Sequence, residues 1–298
     1  MSDIHVLYNA LCDNNIPIPK CGFNAFGICR WGKNYRYWAI DLNGTGFVFG
    51  DWSIGNSKCF AFDNATKQKM TPSQRKALDK IIKERFEQEQ KRREQHQENM
   101  SKIATMACVG NNGKPINHPY LTKKQIICPN DITFDREQNA LLIPVSDLNG
   151  KIWGYQTIFS DGQKHFLKGA RKKGCMYCFG DITSADKIFV CEGFATGASL
   201  YDATNITTIV AFDAGNIDFV VGEIIRKYPQ KRIIIAADND IGKTQNTGAE
   251  TAKSVVNKYH ISAILPDKLT AGMSDWNDIA CKYGKNEIIK QLTKGGIL

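Results

Sequence analysis

The feature that most limits what this chain can become is an alternation in its second half. Apolar, β-branched runs at 187–191, 208–212, 232–237 and 261–265 are separated by helical patterns near 196–204, 217–227, 246–259 and 285–293. Strand and helix alternating at this spacing specify a mainly parallel sheet flanked by helices, because each helix carries the chain back to the start of the next strand. Ligands of such sheets collect beyond the carboxyl ends of the strands.

The residues at two of those ends are acidic. "KIFVC" runs into Glu192 and Gly193, and "RIIIAA" runs into Asp238 and Asp240. In an extended chain alternate positions share a side, which puts Asp238 and Asp240 together. Clustered carboxylates repel unless a cation neutralises them, and hard oxygen donors select Mg²⁺ or Mn²⁺. Gly193 lets the chain turn tightly and leaves room beside Glu192.

Ahead of this sheet the texture differs. Residues 1–70 read as a small β-rich module, with a hairpin expected at Asn43-Gly44 inside "YRYWAIDLNGTGFVFGDW". Thr71-Pro72 then opens a long helix, 71–107, free of glycine and further proline. Its middle is charged nearly all round, with Leu78, Ile81, Ile82 and Phe86 before it and Met100, Ile103 and Met106 after, so it should link modules and pack only at its ends. The middle lacks the apolar seam of a coiled coil. Residues 108–185 hold a strand pair, Leu141 to Val145 and Ile152 to Ile158, and residues 186–298 hold the parallel sheet.

Lys and Arg number 39 against 30 Asp and Glu, a net charge of +9 that favours polyanions, nucleic acid first, unless it serves only solubility. The basic run "KHFLKGARKKG" sets Lys164, Lys168, Arg171, Lys172 and Lys173 just upstream of the acidic strand, where they either track phosphates or face solvent. In the N-terminal module Trp31, Tyr35, Tyr37 and Trp38 interleave with Arg30, Lys33 and Arg36, which suits either a single-stranded DNA platform or a small core. His118 and His165 read as surface or capping residues. Cys175 and Cys178 are a lone pair, too few ligands for zinc, and none is expected. No apolar stretch is long enough to span a bilayer, no secretion signal is visible, and the ten cysteines read as reduced thiols, so a cytoplasmic protein without a membrane partner is expected. No phosphate-binding pattern of a helicase is present.

The order of the acidic signals carries a resemblance. An apolar run ending in Glu192-Gly193, followed by one ending in Asp238-x-Asp240, is similar to the Toprim domain of primases, topoisomerases and related nucleases. "HPYLTKKQI", "LLIPVSDLNGKIWGYQTIFSDGQKHFLKGARKKG", "VCEGFATGASLYDAT", "VAFDAGN" and "DWND" resemble, in order, the primases of conjugative plasmids and satellite phages. The resemblance implies a polymerase core in which Glu192, Asp238 and Asp240 hold divalent metal and act catalytically, with Asp278 or Asp275 as a further acid. Helix capping is the competing role for both of those aspartates. It also implies single-stranded DNA as template, nucleoside triphosphates as substrates, and a replicative helicase supplied in trans or by a longer parent chain. Lys164, Lys168, Arg171, Lys172, Lys173, Trp31, Arg36 and Trp38 become the residues expected to seat DNA or nucleotide.

Two departures bear on this. Thr196 stands where replicative primases carry another acid, and their paired-cysteine zinc module is missing. A metal-dependent Toprim nuclease is the nearest alternative, although no histidine or lysine lies close in sequence to serve as its base. A non-catalytic single-stranded DNA-binding or helicase-loading protein is the other.

Overall fold

The computed structural model describes residues 4–14, 16–20, 28–33, 36–41, 46–51, 58–61, 72–109, 117–239 and 246–298. Tyr35, Asn43, Gly44, Thr71 and Asp240 lie outside the described residues. The chain divides into two compact units, Met1–Gln95 and His96–Leu298.

The first unit opens with a helix the sequence reading did not anticipate, α1 (Ile4–Asp13), which buries Leu7 and Leu11, one turn apart. Strands β1 (Ile28–Trp31), β2 (Tyr37–Asp41), β3 (Phe47–Asp51) and β4 (Lys58–Ala61) follow in a four-stranded antiparallel sheet of that order. Leu7, Leu11, Trp31, Ala39, Phe47 and Phe49 make its core.

Helix α2 (Pro72–Val109) spans the boundary between the units. In its C-terminal part the buried face is Ser101, Ala104 and Cys108, whereas Ile103 and Met106 are exposed. The expected apolar anchor was therefore wrong for those two residues. Small residues let the helix backbone approach the neighbouring strands, and hydrogen bonds fix it: Ser101 Oγ donates to Ile152 O and Thr133 Oγ1 donates to Cys108 O, each at 2.5 Å.

The second unit continues with α3 (Pro119–Lys124) and then β5 (Thr133–Asp135), β6 (Ala140–Ser146), β7 (Ile152–Phe159) and β8 (Lys164–Phe166), a four-stranded antiparallel sheet of that order. The chain next forms β9 (Tyr177–Phe179), β10 (Lys187–Cys191), α4 (Phe194–Thr204), β11 (Thr208–Val210), α5 (Ala214–Lys227), β12 (Arg232–Ala236), α6 (Thr247–Tyr259), β13 (Ser262–Ile264), α7 (Trp276–Tyr283) and α8 (Lys285–Lys294). Its five-stranded sheet has the order β13-β12-β10-β11-β9, parallel except for edge strand β9. A two-way backbone bridge between Ser146 and Met176 joins it to the antiparallel sheet.

Alternation along β10 explains why both faces are covered. Phe189 and Cys191 point into a core shared with Phe194, Leu200, Trp276 and Ile288, while Ile188 and Val190 point into one shared with Val220, Val221, Ile224 and Val255. Each such side chain, fully buried, contributes about 1.5–3 kcal/mol. Gly197 is what seats α4 on this sheet, since a Cβ there would meet Val210 Cγ2 at 2.6 Å. No described helix is long and apolar enough to cross a membrane.

Candidate active site

Strand β10 lies between β12 and β11 with all three running in the same direction, so their carboxyl ends form one rim where strand order reverses. Glu192 leaves this rim after Cys191, and Gly193 then holds the extended N-cap position of α4. Asp238 leaves it after β12. The backbone there is pinned by Asn239, whose N–H donates to Ser274 O at 2.8 Å and whose side chain donates to Pro266 O at 3.2 Å.

Ser274 leads into the first turn of α7, where a reciprocal capping box forms. Asp275 accepts from the Asp278 N–H at 2.7 Å, and Asp278 Oδ2 accepts from the Asp275 N–H at 3.4 Å and also from the Ser274 N–H at 2.9 Å. The other Asp278 oxygen lies 3.5 Å from Lys124 Nζ. Both Asp278 oxygens are thus engaged in capping and pairing, the role that the sequence sets against metal ligation for this residue.

Lys124 ends α3 and is held from behind. Asn277, fully buried, donates to Lys124 O at 2.8 Å and to Ser199 Oγ at 2.9 Å. Lys164 reaches the same region from β8, its ammonium 5.6 Å from the centre of the Tyr120 ring. Solvent touches Lys164, yet protein crowds it closely. That crowding pulls its pKa down, Lys124 pulls it further, and Asp275, Asp238 and Glu192 act against both. The same three acids, after burial itself, hold the Cys191 thiol well above its ordinary range. Burial also raises the Asp275 carboxyl, opposed first by Lys124. Glu192, Asp238 and Asp275 therefore all act electrostatically on Lys164 and Cys191, and Lys124 acts on Lys164 and Asp275 in the same region. Tyr120 is nearly fully buried beside them, and its hydroxyl has no hydrogen-bond partner among the described residues.

The basic loop runs from β8 to β9. Lys168 and Lys173 are exposed, and three of its cations are braced on neighbouring groups. Arg171 lies 4.8 Å from the Trp153 ring centre, Lys172 pairs with Asp213 at 2.5 Å, and Lys173 lies 4.0 Å from the Phe219 ring centre. Asn216 fastens the loop's end to the parallel sheet. It accepts from the Gly174 N–H at 2.8 Å and donates to Cys175 O at 2.8 Å and Ala211 O at 2.9 Å.

Residues of the N-terminal unit fall differently from the platform expectation. Trp31 and Trp38 are 7% and 3% exposed, interior positions that give a base no ring to stack on. Arg36 is engaged by Asp51, with Nε at 3.0 and 2.8 Å from its two oxygens. His118 is buried rather than at the surface, its Nε2 3.1 Å from Asn139 O, and it makes no side-chain cap although it occupies the N-cap of α3. His165 sits on β8 with its ring edge against Phe159.

Sequence reasoning missed Lys124 and Tyr120, whereas Asp275 was offered there as a further acid or a helix cap. The first two lie in "HPYLTKKQI", which was read for resemblance alone; a lysine directly before a helix-ending residue gave no local sign of chemistry.

Among the described residues no three His, Cys, Asp or Glu side chains gather tightly enough to hold a metal ion. The donors that converge are nonetheless hard oxygens, and Glu192 and Asp238 reach the same two groups, Lys164 and Cys191. That donor set fits a hard divalent cation.

A parallel sheet with acids leaving two adjacent carboxyl ends, helices on both faces and an antiparallel sheet bridged to its edge defines the Toprim class of catalytic domain. The family model described as "Toprim domain" matches residues 187–286, and this part of the chain is a Toprim domain. Beyond it, the chain is related to DNA primase TraC of Escherichia coli: one such protein is 31% identical over 219 residues, covering 70% of this chain and 14% of that protein. A second DNA primase TraC of Escherichia coli is 32% identical over 219 residues, covering 70% and 20%. The chain thus spans a fifth or less of the length of these curated relatives. Among solved structures it is similar to the DnaG catalytic core, with a TM-score of 0.46 and 13% identity over 67% of this chain and 79% of that one. The primase fragment of the bacteriophage T7 primase-helicase protein gives a TM-score of 0.42 and 15% identity over 61% and 82%. A Toprim primase fold implies divalent-metal use in general.

Proposed function

We propose that this chain is the catalytic core of a DNA primase, making short primers on single-stranded DNA from nucleoside triphosphates. The observation that carries the reading is that Glu192 and Asp238 leave the adjacent carboxyl ends of parallel strands β10 and β12 where strand order reverses, with Asp275, Lys124 and Lys164 within electrostatic reach. A polymerising site must hold a polyanionic substrate beside acids without repelling it, and this cleft mixes both signs. Glu192 and Asp238, with Asp240 following in sequence, would hold Mg²⁺ or Mn²⁺, which supplies charge stabilisation at the attacking and leaving oxygens. Lys124 and Lys164 bind and orient the triphosphate. Lys168, Arg171, Lys172 and Lys173 track the template backbone beside it. A replicative helicase, in trans or in a longer parent chain, delivers the template, and the work is done in the cytoplasm.

A Toprim nuclease is the second reading, and one observation favours it. Lys164, distant in sequence from Glu192, lies within electrostatic reach of Glu192, Asp238 and Asp275, and would serve as the base that the sequence alone did not offer.

The test incubates the protein with single-stranded DNA, Mg²⁺ or Mn²⁺ and labelled nucleotides, beside Glu192→Gln and Asp238→Asn. Short products without added primer, lost in both variants while DNA binding survives, support the primase. Shortened DNA establishes the nuclease, and full synthesis by well-folded Glu192→Gln overturns the acid assignment.

A further inference from the structure

A single-stranded template is held at its phosphates by cations and at its bases by aromatic faces, and the buried tryptophans of the N-terminal unit leave the second role unfilled. Among the described residues the aromatic side chains most open to solvent are Phe219, 41% exposed, and Tyr283, 40% exposed. Phe219 is the one that adjoins the basic loop, with Lys173 Nζ 4.0 Å from its ring centre. It sits on α5, which begins just past the carboxyl end of β11, the strand beside β10.

Local geometry keeps this ring approachable. Side chains on a helix lean toward its N-terminus, so Phe219 leans over the position one turn earlier, the exposed Gly215, which has no side chain to cover it. The acids of this stretch are each matched by a cation: Asp213 by Lys172 at 2.5 Å, Asp218 by Lys258 at 2.8 Å, and Glu223 by Arg226. A phosphate approaching α5 therefore meets carboxylates that are already neutralised. Lys173 is different, being exposed and paired with no acid among the described residues. Because Asn216 pins the N–H of Gly174, the next residue, Lys173 can exchange partners by rotation of its side chain alone.

We infer that Phe219 is a base-stacking residue for single-stranded DNA, its ring held in the free protein by the Lys173 ammonium and given over to a base when that ammonium moves to a phosphate. An ammonium over an exposed ring is weakly held. A base stacked on the same ring is held more strongly, and the freed ammonium gains a phosphate, so the exchange favours the complex. The inference rests on the reading that the basic loop tracks a template backbone, and it adds what that reading lacks, a group that meets the bases. Every base has a flat face, so ring and loop together grip a template without selecting its sequence.

The test uses the whole chain, without metal or nucleotide, and two probes in a salt series: a fluorescent single-stranded oligonucleotide and the same backbone carrying abasic sites throughout. Phe219→Ala should weaken the oligonucleotide about fivefold to a hundredfold, leave the slope of its salt dependence unchanged, and leave the abasic chain untouched. Phe219→Tyr, which keeps a ring, should bind as wild type does, and Phe219→Leu, which keeps apolar bulk alone, should behave like alanine. Should alanine disturb the helix, the tyrosine and leucine variants decide between them. Lys173→Ala should flatten the slope by up to about 0.7 on both chains, and an unmoved slope would overturn the exchange of partners. Oligonucleotide affinity of Phe219→Ala within about twofold of wild type, an equal loss on the abasic chain, full affinity in Phe219→Leu, or a wild type that binds both chains alike would overturn the stacking role. Absence of primer synthesis by wild type, with these differences intact, removes the primase reading and leaves the stacking role standing.

Discussion

Replacing Asn216 with alanine removes three hydrogen bonds at once from a position only 3% exposed. Each bond between neutral groups contributes about 1 kcal/mol net, and a buried group left without its partner adds a penalty of similar size or more. Gly174 N–H, Cys175 O and Ala211 O lose the side chain together, so the expected loss is about 3–5 kcal/mol, at the high end for a single substitution. Asn216→Asp is a sharper companion. It keeps the volume and the bond from Gly174 N–H but turns carboxylate oxygens toward two carbonyls, so it should be nearly as harmful at neutral pH and recover as acid protonates it. The assay is urea denaturation followed by circular dichroism at several pH values, paired with binding of a fluorescent single-stranded oligonucleotide at a temperature where both variants remain folded. Because Asn216 fastens the end of the basic loop, affinity for DNA should fall in the folded fraction as well. A loss below about 1 kcal/mol for Asn216→Ala, with unchanged DNA affinity, would refute the claim that this side chain joins loop to sheet.

Three other expectations are independent of that one. Burial is the first cause holding the Asp275 carboxyl above its ordinary range, so the folded protein retains a proton where the unfolded chain has lost it, and ionisation costs stability as pH rises. Asp275→Asn keeps a cap acceptor and should raise the metal-free melting temperature at neutral pH, an advantage that disappears once the pH falls below the ordinary aspartate range; a lower melting temperature at pH 7 would count against the burial argument. Alanine at Arg171, Lys172 and Lys173 together should flatten the salt dependence of DNA binding by up to about three units of slope, and an unchanged slope would leave these cations as braces for Trp153, Asp213 and Phe219 alone. Arg93→Ala, on the exposed middle of α2, should shift stability by less than about 0.5 kcal/mol, and a larger shift in thermal melting would reveal packing there.

The parallel sheet was legible because its strands are uninterrupted apolar runs that must be covered on both faces, and β10, β12 and their helices lie within a few residues of where periodicity put them. Edge elements were harder. Helix α1 was hidden inside a segment read as β-rich because two leucines one turn apart are a faint signal. On α2 the error came from expecting the largest apolar residues to face inward, when close approach favoured Ser101 and Ala104. Glu192 and Asp238 could be placed because they end buried strands. Asp275 could be offered as a further acid through the DWND segment, but Lys124 and Tyr120 could not be joined to these acids, since α3 is far from β10 in sequence and only tertiary packing, such as the Asn277 bond to Lys124 O, brings it near α7. The tryptophans at 31 and 38 show the opposite ambiguity: the same aromatic residue serves a binding face or a core, and burial alone tells them apart.

In this sheet the residues that make it fold and the acids proposed to make it react are neighbours in sequence but not the same residues. Ile188 to Cys191 and Ile233 to Ala236 are sealed inside, while Glu192 and Asp238 begin where the seal ends. Selection can therefore act on the two sets separately. If the proposed function holds, a lineage carrying a single change at position 192 or 238 would lose its chemistry in one step, keep its sheet, and retain a basic loop still anchored by Asn216. On that reading, duplicated copies of such a gene would have an open path toward DNA-binding proteins that no longer synthesise, and the reverse path would need only the restoration of acids on a rim already built to receive them.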